Sequence, residues 1–467
     1  MRLKRKDYKF DNIIYNMKAK RAIFILFGGT GDLTKRKLVP AFASLVHDNK
    51  IKKDSSIIGV ARKDFSDEEY KKFLIDSVGG SEDKKKIKSL NVRYVRGDFS
   101  DQELFARLKN LLRTFEPMEE CNKIFYLATS FEFFPKIVEE LGNMKYSLKN
   151  SFSKVVFEKP FGADLKSFDE LERGIHKIFP EDDVYRIDHY LAKDTVQNIN
   201  VLKFVNPMFY GTFNNKYVDS IKIVIDESLE VGNRINYYDD AGAIKDMIQS
   251  HLLQILARLL MVKPKILEYE NLHREKIRVL RNLEISDVKD QLLAQYKSYS
   301  KELDLAGKKK SNTETFAKIV MNCKTPEWNG VKLILRTGKK LSKKLGQIIV
   351  GYKLDEQSKK MWNYFSNDRI ILNIYPKQDV SILMNAKDPL KEKDVRPIEF
   401  NFCHECEFGP NTVDTYASLI EDVIEGRKMM FAKGETVREC WKVTEKILKI
   451  KKEIKFIKYD DGRDPEN

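Results

Sequence analysis

The first third of the chain alternates short apolar runs with amphipathic stretches. Arg21 to Phe27 (RAIFILF) is an unbroken apolar run that stops at Gly28, the pattern of a strand buried on both faces. Leu33, Leu38, Phe42 and Leu45 then fall on one face of a helix. Further strands are expected at Ser56 to Ala61, Val92 to Val95, Lys123 to Leu127 and Ser153 to Phe157, with helices such as Glu68 to Val78 and Asp101 to Phe115 between them. Strand–helix alternation over residues 1–190 predicts a Rossmann-like, doubly wound α/β domain, preceded at residues 1–20 by a loose basic leader.

Beyond it the pattern changes. Strand-like segments Ser220 to Ile225, Phe316 to Asn322, Val331 to Arg336, Gln347 to Tyr352, Arg369 to Tyr375 and Val380 to Asn385 recur without regular helical crossovers. Helices are expected at Ala241 to Met261, Ile285 to Gln295 and Ser418 to Glu425, with another near the end. Residues 191–467 therefore predict a larger α+β domain on a big, mostly antiparallel sheet. A ligand site is expected near the junction of the two domains, where the chemically loaded segments cluster.

Composition narrows the class. With 42% hydrophobic and 33% charged residues, the 467-residue chain has material for two cores. No apolar run approaches the roughly 18 residues of a membrane span, which predicts no membrane partner. The net charge is +15, but lysine runs such as Lys84-Lys85-Lys86 and Lys308-Lys309-Lys310 are spread along the chain. That is a solvated surface around a site for phosphorylated small molecules rather than a nucleic-acid stripe, so no nucleic-acid partner is expected. Five scattered cysteines argue against a disulfide framework and for a reducing, cytoplasmic setting. Cys403-His404-Glu405-Cys406 has chelating spacing, but on a strand the two cysteines would face opposite ways and no second pair completes a site, so no metal is expected.

Five segments carry candidate chemistry. Gly28-Gly29-Thr30-Gly31-Asp32-Leu33 joins a strand to a helix, where glycines admit a pyrophosphate to free helical amides. Arg62-Lys63 closes the second strand with positive charge, which suits the 2′-phosphate of NADP rather than the bare ribose of NAD. Glu158-Lys159-Pro160-Phe161-Gly162 follows the fifth strand, with Lys159 at its carboxyl edge. In Arg186-Ile187-Asp188-His189-Tyr190-Leu191-Ala192-Lys193, His189 and Lys193 would share a helical face able to hold a phosphate, and Asp188 could orient an imidazole. Last, His251 follows Ile248 and precedes Ile255 at helical spacing, so it faces inward as either a core residue or a base.

GGTGDLTKRKL, GVAR, EKPFG, RIDHYLAKD and DMIQSH, in that order, resemble the glucose-6-phosphate dehydrogenase family. The likeness runs over roughly residues 20–455 and includes Arg336 to Leu341. It implies an oxidoreductase of the pentose phosphate pathway that passes a hydride from C1 of glucose 6-phosphate to NADP+. By the same resemblance His251 is the general base and Asp188 the carboxylate that orients it. His189, Tyr190 and Lys193 hold the 6-phosphate, while Lys159, Glu227, Asp246, Lys339 and Lys344 bind the sugar hydroxyls. Gly28, Thr30, Gly31 and Asp32 form the phosphate turn, Arg62 meets the 2′-phosphate, Asp98 lies near the adenine, and Lys159 also touches the nicotinamide end. Lys37, after the turn, is a further candidate. A homodimer or homotetramer through the big sheet is implied as well.

The chain departs from the family pattern at Ala192, Asp194 and Ser250, and Ala128 to Phe131 lacks the usual proline turn. One geometric tension stands out. Asp246 and His251 are five residues apart, about 140° around a regular helix, so both reach one pocket only if Asp246 lies at or before the helix start. The alternatives are a dehydrogenase of another hexose 6-phosphate and a non-catalytic nucleic-acid-binding relative.

Overall fold

The computed structural model describes residues 19–115, 121–145, 153–354, 356–363, 366–391, 393–403, 406 and 414–466. Most of the basic leader, together with His404 and Glu405, lies outside them. Two compact units are present: Met1–Tyr126 with Met144–Lys154, and Leu127–Asn143 with Val155–Asn467.

In the first unit, strands β1 (Arg21–Phe27), β2 (Ser56–Ala61), β3 (Asn91–Arg96) and β4 (Cys121–Leu127) lie in the order β3-β2-β1-β4. β1, β2 and β3 are parallel, with Ile23 opposite Ser56 and Ser56 opposite Asn91. This order, reversing beside β1, is that of a doubly wound nucleotide-binding sheet. β1 is buried along nearly its whole length, as its unbroken apolar run requires. Ser66 and Glu69 form a capping box that starts the helix Asp67–Asp76, fixing the exit from β2.

The second unit begins its sheet structure with a parallel pair, β5 (Ser153–Glu158, from Val155 onward) and β6 (Val184–Ile187). Its main body is a larger mixed sheet containing β7 (Val218–Asp226), β8 (Leu283–Ile285), β9 (Leu292–Tyr296), β10 (Phe316–Cys323), β11 (Lys332–Gly338), β12 (Leu345–Tyr352), β13 (Arg369–Tyr375), β14 (Asp379–Lys387), β15 (Val395–Cys403) and β16 (Phe456–Tyr459). The order is β15-β14-β13-β12-β7-β11-β10-β9-β16, with β8 paired to β10. Most pairings are antiparallel; β7 with β11 and β9 with β16 are parallel. Apolar helices, above all Leu253–Leu260, fill the core of this unit.

Two sequence expectations fail here. Ile285 to Gln295 is not a helix: it runs from the last residue of β8 through a short 3-10 turn at Val288–Asp290 into β9. β10 supplies hydrogen-bonding partners to both strands, and the Gln291 carboxamide pins the turn by bonding Ser286, Asp287 and Val320 backbone. Tertiary pairing outweighs the local spacing. Cys403 and Cys406 do not face apart either; they are joined as a disulfide. β15 ends at Cys403, so strand alternation no longer governs where Cys406 points.

Candidate active site

The segment bearing the expected base is not one regular helix. The helix Ile235–Ala243 contains Gly242 at φ 63°, and a Cβ there would sit 2.3 Å from Glu314 Oε1. Glycine is required both for the left-handed turn and for the close approach of that carboxylate. Glu314 then accepts the Ala243 amide on its carbonyl and the Ile244 amide on Oε1, restarting the helix. From Ile244 to Leu252 the winding is π-helical. With bonds from i to i+5, residues five apart come round to nearly the same face. The angular objection to Asp246 and His251 therefore dissolves: Asp246 lies within the helix, in its first wide turn.

His251 is fully buried, and its Nδ1 lies 2.6 Å from Asp188 Oδ1. Asp188, just past β6, also accepts the Tyr190 amide at 3.0 Å. Burial alone would raise the Asp188 carboxyl, but His251, His189 and the Tyr190 amide outweigh it and hold it below its ordinary value. Burial lowers the His251 imidazolium against the pull of Asp188. An ionised carboxylate facing a neutral imidazole makes Nδ1 the donor and leaves the lone pair on Nε2, a buried atom without a protein partner. This is an oriented, unprotonated base.

The other expected substrate residues gather around this pair. The rings of His189 and Tyr190 centre 4.8 and 4.5 Å from that of His251. Burial, then His251 and Lys159, bring His189 down to about 3, so it is a neutral hydrogen-bonding group rather than a cation. Lys193 N-caps the helix Asp194–Val205 and is among the charges acting on His189. Lys159 donates to the Asp246 carbonyl at 2.9 Å and carboxylate at 3.2 Å, following a cis Lys159–Pro160 bond. Burial opposes ionisation of Asp246, yet Lys159, Arg234 and Lys339 together hold its carboxyl well below the usual range. Lys339 is ion-paired to Glu227, and both lie at strand ends of the large sheet, after β11 and β7. Lys344 sits over the Tyr375 ring, whose hydroxyl lies 3.5 Å from that of Tyr190.

Beside Lys159 and Asp246 lies a cavity of about 670 Å³, walled also by Arg234, Tyr237, Ser250 and the Thr129–Glu132 turn. That volume suits a small-molecule ligand. Lys159 and Ser250 line both it and the narrow recess that holds Asp188 and His251. Arg234 and Tyr375 escaped sequence reasoning. Arg234, which donates to Asp246 at 3.2 Å, stands in no motif, and Tyr375 simply ends a strand. Ligand atoms of Asp188, His189 and His251 lie within 4.8 Å of one another, but the commitment of His251 Nδ1 to Asp188 makes them an acid–base group first.

In the first unit, the expected nucleotide residues sit where β1, β2 and β3 end. Gly28 has φ 92°; the Gly28 and Gly29 amides bond Val60 O, and Gly31 N bonds Gly28 O. A Cβ on Gly29 would lie 2.8 Å from Gly59 Cα, so this glycine, absent from the expected contact set, is what lets the turn close on β2. Thr30 and Gly31 lead into the helix at Asp32, whose carboxylate pairs with Arg36 at 2.8 Å. Lys37 lies in that helix's π-wound first part. Arg62 is exposed at the end of β2. Asp98, past β3, is held low by hydrogen bonds from Ser100 and, more weakly, by the Arg62 charge, which places the two in one neighbourhood.

A parallel nucleotide-binding sheet and a buried carboxylate–imidazole pair are parts that a pyridine-nucleotide oxidoreductase needs. Residues 25–198 match the model for the glucose-6-phosphate dehydrogenase NAD binding domain, and residues 200–467 match its C-terminal domain. The chain therefore belongs to the glucose-6-phosphate dehydrogenase family, as its motifs suggest. It is 34% identical to glucose-6-phosphate 1-dehydrogenase of Borreliella burgdorferi, covering 94% of each chain. It is 33% identical to the Bacillus subtilis enzyme of that name, covering 91% of each. Among solved structures, a glucose-6-phosphate dehydrogenase in complex with its substrate glucose-6-phosphate aligns with a TM-score of 0.87 at 27% identity over 96% of both chains. The expected enzyme class and fold class stand, as does a pyridine-nucleotide cofactor.

Proposed function

We propose that this enzyme oxidises glucose 6-phosphate at C1 to the lactone with NADP+ as acceptor, using His251 as base. The observation that carries the reading is the 2.6 Å contact between His251 Nδ1 and Asp188, which leaves Nε2 buried without a protein partner. Nε2 takes the C1 hydroxyl proton while the C1 hydrogen leaves with its electron pair and the carbonyl forms. Asp188 keeps the imidazole in the accepting tautomer and stabilises the imidazolium, as the buried carboxylate does in a Ser-His-Asp triad. The bound nucleotide supplies the hydride acceptor.

Lys159, Glu227, Asp246, Lys339 and Lys344 bind the sugar hydroxyls, and donors and acceptors in alternation suit a polyol. His189, Tyr190 and Lys193 hold the phosphate, with Lys193 providing the charge and neutral His189 a hydrogen bond. Gly28, Thr30, Gly31 and Asp32 cradle the pyrophosphate, with Gly29 as the glycine that no side chain can replace without displacing backbone. Arg62 recognises the 2′-phosphate, Asp98 the adenosine end, and Lys159 the nicotinamide end. Residues 1–190 form the nucleotide-binding domain, which also contributes Lys159, Asp188, His189 and Tyr190 to the sugar site, and 191–467 supply the rest of the sugar site and the assembly surface. We read the enzyme as a cytoplasmic homodimer or homotetramer without nucleic-acid or membrane partners. Exposed Met384, Ile398, Phe400 and Phe402 on β14 and β15 support a partner on the large sheet. No described helix is long and apolar enough to cross a membrane.

The test is nucleotide reduction by purified protein given glucose 6-phosphate, or its mannose and galactose counterparts, with NADP+ or NAD+. Rapid reduction of NADP+ with the glucose ester is expected. Absence of reduction with every pair refutes the reading, and a preference for another ester reassigns the substrate.

A further inference from the structure

Three helices of the second unit, Asp194–Val205, Leu253–Leu260 and Tyr269–Arg281, line a small cavity that the reaction does not use. Its walls include Asn200, Arg258, Tyr269, His273 and Lys276. Arg258 is 5% exposed and Lys276 4%, yet neither has a carboxylate within ion-pair distance among the described residues. Buried charges are ordinarily paired, because leaving one alone costs several kcal/mol. The Arg258 guanidinium donates through Nε to Asn200 Oδ1 at 3.3 Å, while its buried Nη1 meets no protein acceptor. His273 is bonded through Nδ1 to Thr436 Oγ1 and contributes no negative charge.

We propose that this cavity is a site for a small monovalent anion, chloride in its physiological form, bound between Arg258 and Lys276. Charge selects an anion, and size limits it to a single atom. The space is about 10 Å³, close to the least that admits a single water, so it excludes phosphate or a carboxylate and leaves a one-atom anion as the largest occupant. Two cationic side chains and an amide face it without an acidic counterpart. The titration behaviour agrees: burial lowers Lys276 to about 7, with Arg258 adding to the effect, and burial lowers Arg258 to about 10. An anion reverses both shifts. It also keeps Lys276 charged, and Lys276 feels the Asp188 carboxylate, so the bound anion contributes to the field at the catalytic pair.

The test compares thermal unfolding in sodium chloride with unfolding in sodium gluconate at equal ionic strength, since gluconate is too large for the cavity. Chloride is expected to raise the midpoint by about 2 °C or more in a saturable way, and Arg258→Met should abolish that difference. Crystals of the wild-type protein grown in bromide should show an anomalous peak beside Arg258 Nη1, which decides the matter even if Arg258→Met fails to fold. Equal midpoints in the two salts together with no bromide peak mean that the cavity holds water, and the proposal falls.

Discussion

The nucleotide turn and the acid–base site solve opposite problems. The turn after β1 is made of backbone: Gly28 and Gly29 bond Val60, and Gly29 approaches Gly59 to a distance no side chain tolerates. Its residues lie within a few positions of one another, and its neighbours β1 and β2 are adjacent strands. The acid–base site is made of side chains drawn from β6, a π-helix and the ends of β7 and β11, with Asp188 and His251 separated by 63 positions. Backbone recognition needs only a local conformation. Proton transfer needs a carboxylate and an imidazole desolvated together, which only a folded interior supplies.

That contrast can be broken by substitution, and the largest effect belongs to the base. His251→Asn should lower kcat by roughly two orders of magnitude or more with a smaller change in sugar KM; near-normal turnover would remove His251 from the chemistry. Asp188→Asn should cost about 100-fold in kcat, at the low end for losing an oriented general base, because the amide no longer holds the accepting tautomer. It should also move the acid limb of the pH–rate profile. A base works only when unprotonated, so activity falls as pH drops through its pKa; burial already places that fall below the ordinary 6.5 of histidine. Asp188 raises the His251 pKa, so its neutralisation should shift the limb to still lower pH. An unmoved limb would mean that the pair is not coupled.

Gly29→Ala should act through packing rather than chemistry. The added methyl meets β2 backbone at 2.8 and 2.9 Å, which neither side can yield cheaply, and a loss of ~1–3 kcal/mol in stability is expected from chemical unfolding. Unchanged stability would show that the turn has slack. Arg62→Ala should be mildest: the ratio of kcat/KM for NADP+ over NAD+ should fall about 10-fold, with kcat nearly intact, as for the loss of one charge-assisted hydrogen bond. A preserved ratio would assign the 2′-phosphate to another group.

Much of the nucleotide half was legible because its signals are local. The apolar run Arg21–Phe27 and the glycines after it each act within a few residues. The site residues were legible as motifs, but their geometry was not. Regular helical spacing set Asp246 and His251 at odds, because nothing within the segment announces that Glu314, from a distant loop, restarts the helix after Gly242. The segment from Ile285 to Gln295 misled for the same reason: its strands exist only because β10 offers both of them an edge to pair with. Arg234 and Tyr375 carry no pattern until Asp246 and Tyr190 are beside them.

The sequence alone determined that the chain has a parallel nucleotide-type sheet, a larger second sheet, and the imidazole, carboxylates and lysines that this chemistry needs. Those properties follow from short-range periodicity and residue type. Tertiary structure decided that Asp188 faces Nδ1 of His251, that Lys159 and Arg234 share Asp246, and that Cys403 joins Cys406. All but the last depend on where a chain segment returns in space; the disulfide, between residues three apart, depends on where β15 ends. Burial then fixes the protonation states, since the cost of a charge depends on everything packed around it.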